Sequence, residues 1–99
     1  MLNRTEILSY LRENKEIFRV NYGIRKIGLF GSYARGEQND QSDIDILIEM
    51  GSDTENILDK RLQLMDLLTK QFSKNVDICH EPAIKPVFRD LVLSEAIYA

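Results

Sequence analysis

Apolar positions in the first twenty residues recur at helical spacing. Ile7, Leu8, Leu11 and Phe18, with Ile17 less regular, predict an amphipathic helix from Asn3 to about Asn21. Asn3 standing three residues before Glu6 resembles a capping box, and Tyr22-Gly23 supplies the stop. Ile24 to Phe30 reads as a strand, and Ser32 to Arg35 as the first turn of a short helix opened by Ser32. The polar segment Gly36 to Gln41 predicts a mobile loop. A second strand follows over Ile44–Met50, then a turn at Gly51-Ser52-Asp53. The longest helix is expected over Thr54–Phe72, with Ile57, Leu58, Leu62, Met65, Leu68 and Phe72 as its core stripe. A third strand over Val76–Cys79, a helix from Pro86 to about Ser94 and a short edge segment over Glu95–Ala99 complete the chain. The order αβαβαβα gives an α/β or α+β sandwich around a small mixed sheet.

Composition narrows the class without naming an activity. Ninety-nine residues are expected to form a single domain over 1–99. A hydrophobic content of 43% and a charged content of 29% are those of an ordinary soluble domain. A formal charge of −3 argues against non-specific nucleic-acid binding, which needs clustered Lys and Arg, and suits a basic protein partner. Cys79 is the single cysteine, so no disulfide can form within the chain. The N-terminal residues lack the apolar core of a signal peptide, and no apolar run approaches the length of a membrane span. A cytoplasmic protein is expected.

The chemistry concentrates between Gly28 and Ile48. One apolar run ends in Gly31-Ser32, and ten residues further on Asp43-Ile44-Asp45 opens the next. A Gly-Ser turn at a helix start can hold phosphate with backbone N–H groups and a hydroxyl. Side chains two apart on a strand share a face, so Asp43 and Asp45 would present two carboxylates together, a donor set for Mg²⁺. Asp45 lies between Ile44 and Ile46, and Asp77 between Val76 and Ile78. An unpaired carboxylate among such neighbours is costly, and a metal ion would relieve it. The bland alternatives are a polar turn for Asp43 and Asp45, a Lys or Arg partner for Asp77, and a tight turn with a helix cap for Gly31 and Ser32.

This arrangement resembles the signature of the DNA-polymerase-β-like nucleotidyltransferases: Gly-Ser, a spacer, Asp-x-Asp, and a third acid on a later strand. The form Gly31-Ser-Tyr-Ala-Arg-Gly36 with Ser42-Asp-Ile-Asp45 is similar to the minimal nucleotidyltransferases, the MNT family, and Ser94–Tyr98 is similar to that family's usual ending. The resemblance implies the nucleotidyltransferase fold cut down to its catalytic core. It implies two Mg²⁺ ions, with Asp43 and Asp45 on both and Asp77 on the ion nearer the nucleophile or acting as general base. It implies ATP as substrate, bound by Gly31 and Ser32.

Larger relatives carry an extra domain for the acceptor, and 99 residues leave no room for one. The acceptor is therefore expected on another molecule, and the resemblance implies which: a partner HEPN ribonuclease toxin whose tyrosine hydroxyl receives AMP from ATP, the chain serving as antitoxin in a hetero-oligomer. The alternatives are a nucleotidyltransferase acting on an antibiotic or sugar, and an antitoxin that works by binding alone. Arg35, one turn after Ser32, could reach the triphosphate or brace the acidic loop. His80 reads as a solvated loop histidine and Cys79 as a small core residue. Val87, Leu91 and Tyr98 could form a hydrophobic partner contact, with core packing the commoner use of each.

Overall fold

The structure, a computed structural model, describes residues 2–99. Its first helix, α1 (Arg4–Glu13), begins as the sequence predicts, with the Asn3 side chain accepting from the Glu6 amide at 2.9 Å. It ends well before Asn21. Asn14 leaves helical geometry at φ −109°, and its side-chain amide donates to the Tyr10 carbonyl at 2.9 Å. That local bond competes with the helix ladder. A second helix, α2 (Lys15–Tyr22), follows directly, so one expected helix is two. Gly23, at φ +70°, closes α2 in the left-handed conformation.

Four strands form one sheet in the order β3-β2-β1-β4. β1 (Ile24–Phe30) pairs antiparallel with β2 (Ile44–Met50), and β2 pairs in parallel with β3 (Val76–His80). Between β1 and β2 lies the five-residue helix α3 (Gly31–Arg35). The parallel pair is joined by α4 (Ile57–Phe72), which starts three residues later than expected. After β3 come a 3₁₀ turn at Glu81–Ala83, α5 (Pro86–Glu95) and the two-residue edge strand β4 (Ile97–Tyr98) against β1.

The strand alternation sorts side chains onto two faces. Ile44, Ile46, Ile48 and Met50 of β2 join Ile27 and Leu29 of β1 and Val76 and Ile78 of β3 in the main core. α1, α2 and α4 cover that face with Ile7, Leu11, Phe18, Leu64 and Leu68. Tyr10 of α1 meets Phe72 of α4 edge-on, ring centroids 5.3 Å apart.

The stripe expected on α4 is only partly core. Leu64 and Leu68 are buried, whereas Ile57, Leu58 and Leu62 are exposed. The packed side of the helix includes Arg61, which donates to the Ile78 carbonyl at 2.7 Å. α5 is apolar yet buries none of its residues; Val87 is 79% and Leu91 60% exposed, so neither serves the core. Among the described residues no helix is long and apolar enough to cross a membrane.

Candidate active site

The sheet's second face carries the acids. In register, Phe30 of β1, Asp45 of β2 and Asp77 of β3 form one row across three strands. Asp45 and Asp77 are direct neighbours on a parallel pair, so their carboxylates project side by side. Asp43 stands just before β2, exposed, where the Ile44 amide bonds the Asn75 carbonyl at 3.0 Å. Burial raises the Asp45 pKa first, and the charges of Asp77 and then Asp43 raise it further; Arg35 pulls the other way. Asp43 and Asp77 remain solvent-accessible. An open cleft of about 400 Å³ runs between them, with Thr69 and Asn75 on its walls.

Gly31 meets Asp45 from the other side. At φ +75° its α-carbon faces the carboxylate, and an added β-carbon would overlap Oδ2 and stand 3.0 Å from Cγ. The Gly31-Ser32 turn and the central acid are therefore in direct contact. The turn differs from expectation in one respect. α3 begins at Gly31, with Phe30 in the capping position and no side-chain cap, so Ser32 lies inside the first turn and does not open it. Its hydroxyl is thereby left available on the helix surface.

Arg35 lies at the end of α3. Its Nε donates to Glu37 at 3.3 Å and its Nη1 to Glu95 of α5 at 3.0 Å. Those bonds, Glu37 foremost, raise its pKa. The loop expected to be mobile is stitched by hydrogen bonds. The Gln41 amide donates to Asn39 Oδ1 at 2.8 Å, the Asn39 amide to Ser42 Oγ at 3.0 Å, and Lys74 Nζ to the Asp40 carbonyl at 2.9 Å. Asn39 thus forms an Asx turn that fixes the approach to Asp43.

His80 is not a loop residue. It ends β3, half-buried, and its Nε2 accepts from the Met50 amide at 3.4 Å. Cys79 is half-buried on the acidic face, and burial raises its thiol pKa. The sequence reading missed Glu95 and Glu81. Glu81 is buried, accepts from the Tyr98 hydroxyl at 3.1 Å and pairs with Arg89 at 3.6 Å, anchoring the C-terminal segment. The similarity of Ser94–Tyr98 to the family ending was the available signal for this region, although it gave no role.

The donor set fits a hard divalent cation: carboxylates alone, two of them adjacent across strands, with a like-charge penalty on Asp45 that a cation would relieve. Among the described residues no group of three acids, histidines or cysteines is already drawn together as a metal site, so the three carboxylates stand as an open set.

Comparison with known proteins identifies the family. The nucleotidyltransferase-domain family matches residues 11–99. Protein adenylyltransferase MntA of Thermococcus cleftensis is 36% identical over 98 residues, spanning 99% of this chain and 97% of that protein. A solved structure described as a minimal nucleotidyltransferase superposes with a TM-score of 0.78 at 31% identity, covering 97% of this chain and 95% of that one. A toxin–antitoxin crystal structure with AMP-PNP gives a TM-score of 0.68 at 29% identity, covering 98% and 72%. A tri-AMPylated Shewanella oneidensis HEPN toxin in complex with its MNT antitoxin gives 0.58 at 25%, covering 97% and 67%. With a family match over most of its length and a near full-length relative, the chain belongs to the nucleotidyltransferase-domain family and is a nucleotidyltransferase of the minimal type.

Proposed function

We propose that this protein transfers AMP from ATP to a tyrosine hydroxyl of a HEPN ribonuclease toxin and so acts as the antitoxin of the pair. The observation that carries the reading is the row Asp45–Asp77 with Gly31 seated against Asp45. A Gly-Ser turn touching one of two adjacent carboxylates would bring a triphosphate and an attacking hydroxyl to one point. Relatives support the acceptor class: one is named a protein adenylyltransferase, and one structural neighbour is a complex with an AMPylated HEPN toxin.

In this reading the amides and hydroxyl at Gly31 and Ser32 hold the β- and γ-phosphates, and Arg35 adds positive charge beside them. Asp43, Asp45 and Asp77 would hold Mg²⁺, which supplies charge neutralisation for the phosphates and acidifies the hydroxyl. Asp77, the more open acid of the row, accepts the phenolic proton. The phenolate oxygen forms a bond to the α-phosphorus while the bond from that phosphorus to the bridging oxygen breaks. Pyrophosphate leaves and a phosphodiester remains on the tyrosine.

The test is ATP labelled at the α-phosphate, incubated with Mg²⁺ and a purified HEPN toxin. Label should appear on one toxin tyrosine, disappear with Asp77→Asn and Asp45→Asn, and restore growth in parallel. Label moving only to a small molecule would replace the acceptor. Neutralisation at normal strength by Asp77→Asn would remove catalysis from the account.

A further inference from the structure

Arg35 is held from two sides by carboxylates, and the partners differ in kind. Glu37 lies two residues away on the exposed loop, its side chain 67% exposed. Glu95 is sixty residues away at the last position of α5, and its side chain is only 25% exposed. The two bonds take Nε and one Nη1 hydrogen of the guanidinium. The remaining N–H groups make no hydrogen bond among the described residues. Nη2 and the second Nη1 hydrogen stay free to donate to a phosphate, and a guanidinium already held in place loses less side-chain entropy when that contact forms. The same charge acts on Asp45, lowering a pKa that burial and the other acids raise. Arg35 is therefore within electrostatic reach of the acidic row while tied to α5.

We infer that Glu95 is a positioning residue for nucleotide binding: from the end of α5 it orients Arg35 of α3 toward the triphosphate. The inference rests on the reading that the triphosphate seats at Gly31–Ser32. It gives the C-terminal segment a part in binding ATP that its distance in sequence conceals. α5 buries none of its residues fully, and polar contacts help to hold the C-terminal segment: Arg35–Glu95 at the end of α5, Arg89–Glu81 within the helix and Tyr98–Glu81 just beyond it. Only the first reaches the phosphate turn.

Affinity for Mg-AMP-PNP by calorimetry, KM for ATP and kcat of transfer test the assignment in four proteins: wild type, Glu95→Gln, Arg35→Ala and the double variant. An exposed ion pair sets the scale, so Glu95→Gln should weaken nucleotide affinity about threefold to fivefold and raise KM alike, with kcat within about twofold. In the Arg35→Ala background the same change should do nothing more. Glu95→Asp should recover part of the affinity. Glu81→Gln, which loosens the same segment elsewhere, should lower the thermal midpoint and leave nucleotide affinity intact. An equal loss from Glu95→Gln with and without Arg35 would overturn the inference. So would a loss from Glu81→Gln matching that from Glu95→Gln, or unchanged affinity in Glu95→Gln. Coupled affinities in a protein that moves no AMP to the toxin would sustain the role of Glu95 and count against the acceptor instead.

Discussion

The Asp45 carboxylate occupies the space that a β-carbon on Gly31 would fill. Two motifs separated by a loop in the sequence are one contact in the fold, and that contact makes Gly31 irreplaceable for two reasons. Its φ of +75° disfavours any side chain, and its open α-carbon is where the acid rests. Gly36 separates the two effects, because at φ +73° it has nothing within 4 Å of an added β-carbon. Either Gly→Ala change should cost about 1–2 kcal/mol of stability from backbone strain. Only Gly31→Ala should also displace Asp45 and weaken Mg-nucleotide binding by about tenfold or more. Thermal melts beside calorimetry on the two variants check this; equal nucleotide affinity in both would remove the contact from the account of binding.

The raised Asp45 pKa makes stability depend on pH in a definite direction. A carboxyl whose folded pKa lies above its unfolded value holds its proton longer in the folded state. Stability from this group therefore falls as pH rises through the window between the two values, and the penalty stays in full at neutral pH. Asp45→Asn should raise the thermal midpoint at pH 7 and lose that advantage toward pH 4. Mg²⁺, by offsetting the same repulsion, should raise the wild-type midpoint at pH 7 and leave the Asn variant unmoved. Melts across pH with and without Mg²⁺ measure both. An Asn variant less stable than wild type at neutral pH would contradict the electrostatic reading.

Much of this was legible before any coordinates. β1 and β2 fall on the predicted residues because their apolar runs are bounded by Gly23, Gly31, Asp43 and Gly51. The row of Asp45 and Asp77 follows from two short strands each carrying one acid between apolar neighbours. The break at Asn14 was hidden, since Phe18 keeps helical phase with Leu11 across it and a side-chain bond to Tyr10 makes the turn. On α4, Leu58 and Leu62 are spaced like Leu64 and Leu68, so period alone could not choose the packed side. Arg61, a charged residue on that side, disguised it further. Arg35–Glu95 and Glu81–Tyr98 join residues far apart in sequence, and pairings of that kind leave no periodic trace.

Tyr33 offers a test of the packing around the Gly31-Ser32 turn. Its side chain is fully buried and its hydroxyl has no hydrogen-bond partner. An unsatisfied buried hydroxyl carries a desolvation cost with no compensating bond. Tyr33→Phe should therefore leave stability unchanged or raise it by about 1 kcal/mol. Denaturant titration reads the change, and a clear destabilisation would show that the hydroxyl is bonded in solution.

The last expectation concerns where the proposed HEPN toxin docks. Two exposed apolar groups compete, one on α4 and one on α5. Ile57, Leu58 and Leu62 lie in the first half of α4, just after the loop that leaves β2 at Met50, the end of the strand remote from Asp45. Val87, Phe88 and Leu91 lie on α5, which packs against α3 and closes at Glu95 on Arg35. A partner lying along α5 would have its hydroxyl carried toward the acidic row, whereas one on the start of α4 would face away from it. Exposed apolar side chains on a helix that buries nothing are what a protein interface uses. Val87→Ser with Leu91→Ser should leave the thermal midpoint nearly unchanged, because neither residue supports the core. The same pair should weaken the toxin complex by about tenfold or more. Leu58→Ser with Leu62→Ser should leave the complex intact. Interferometry with the purified toxin, and AMP transfer at limiting toxin, give both readouts; a complex lost with the α4 pair and kept with the α5 pair would put the toxin on the other helix and leave the route of its tyrosine to the acids unexplained.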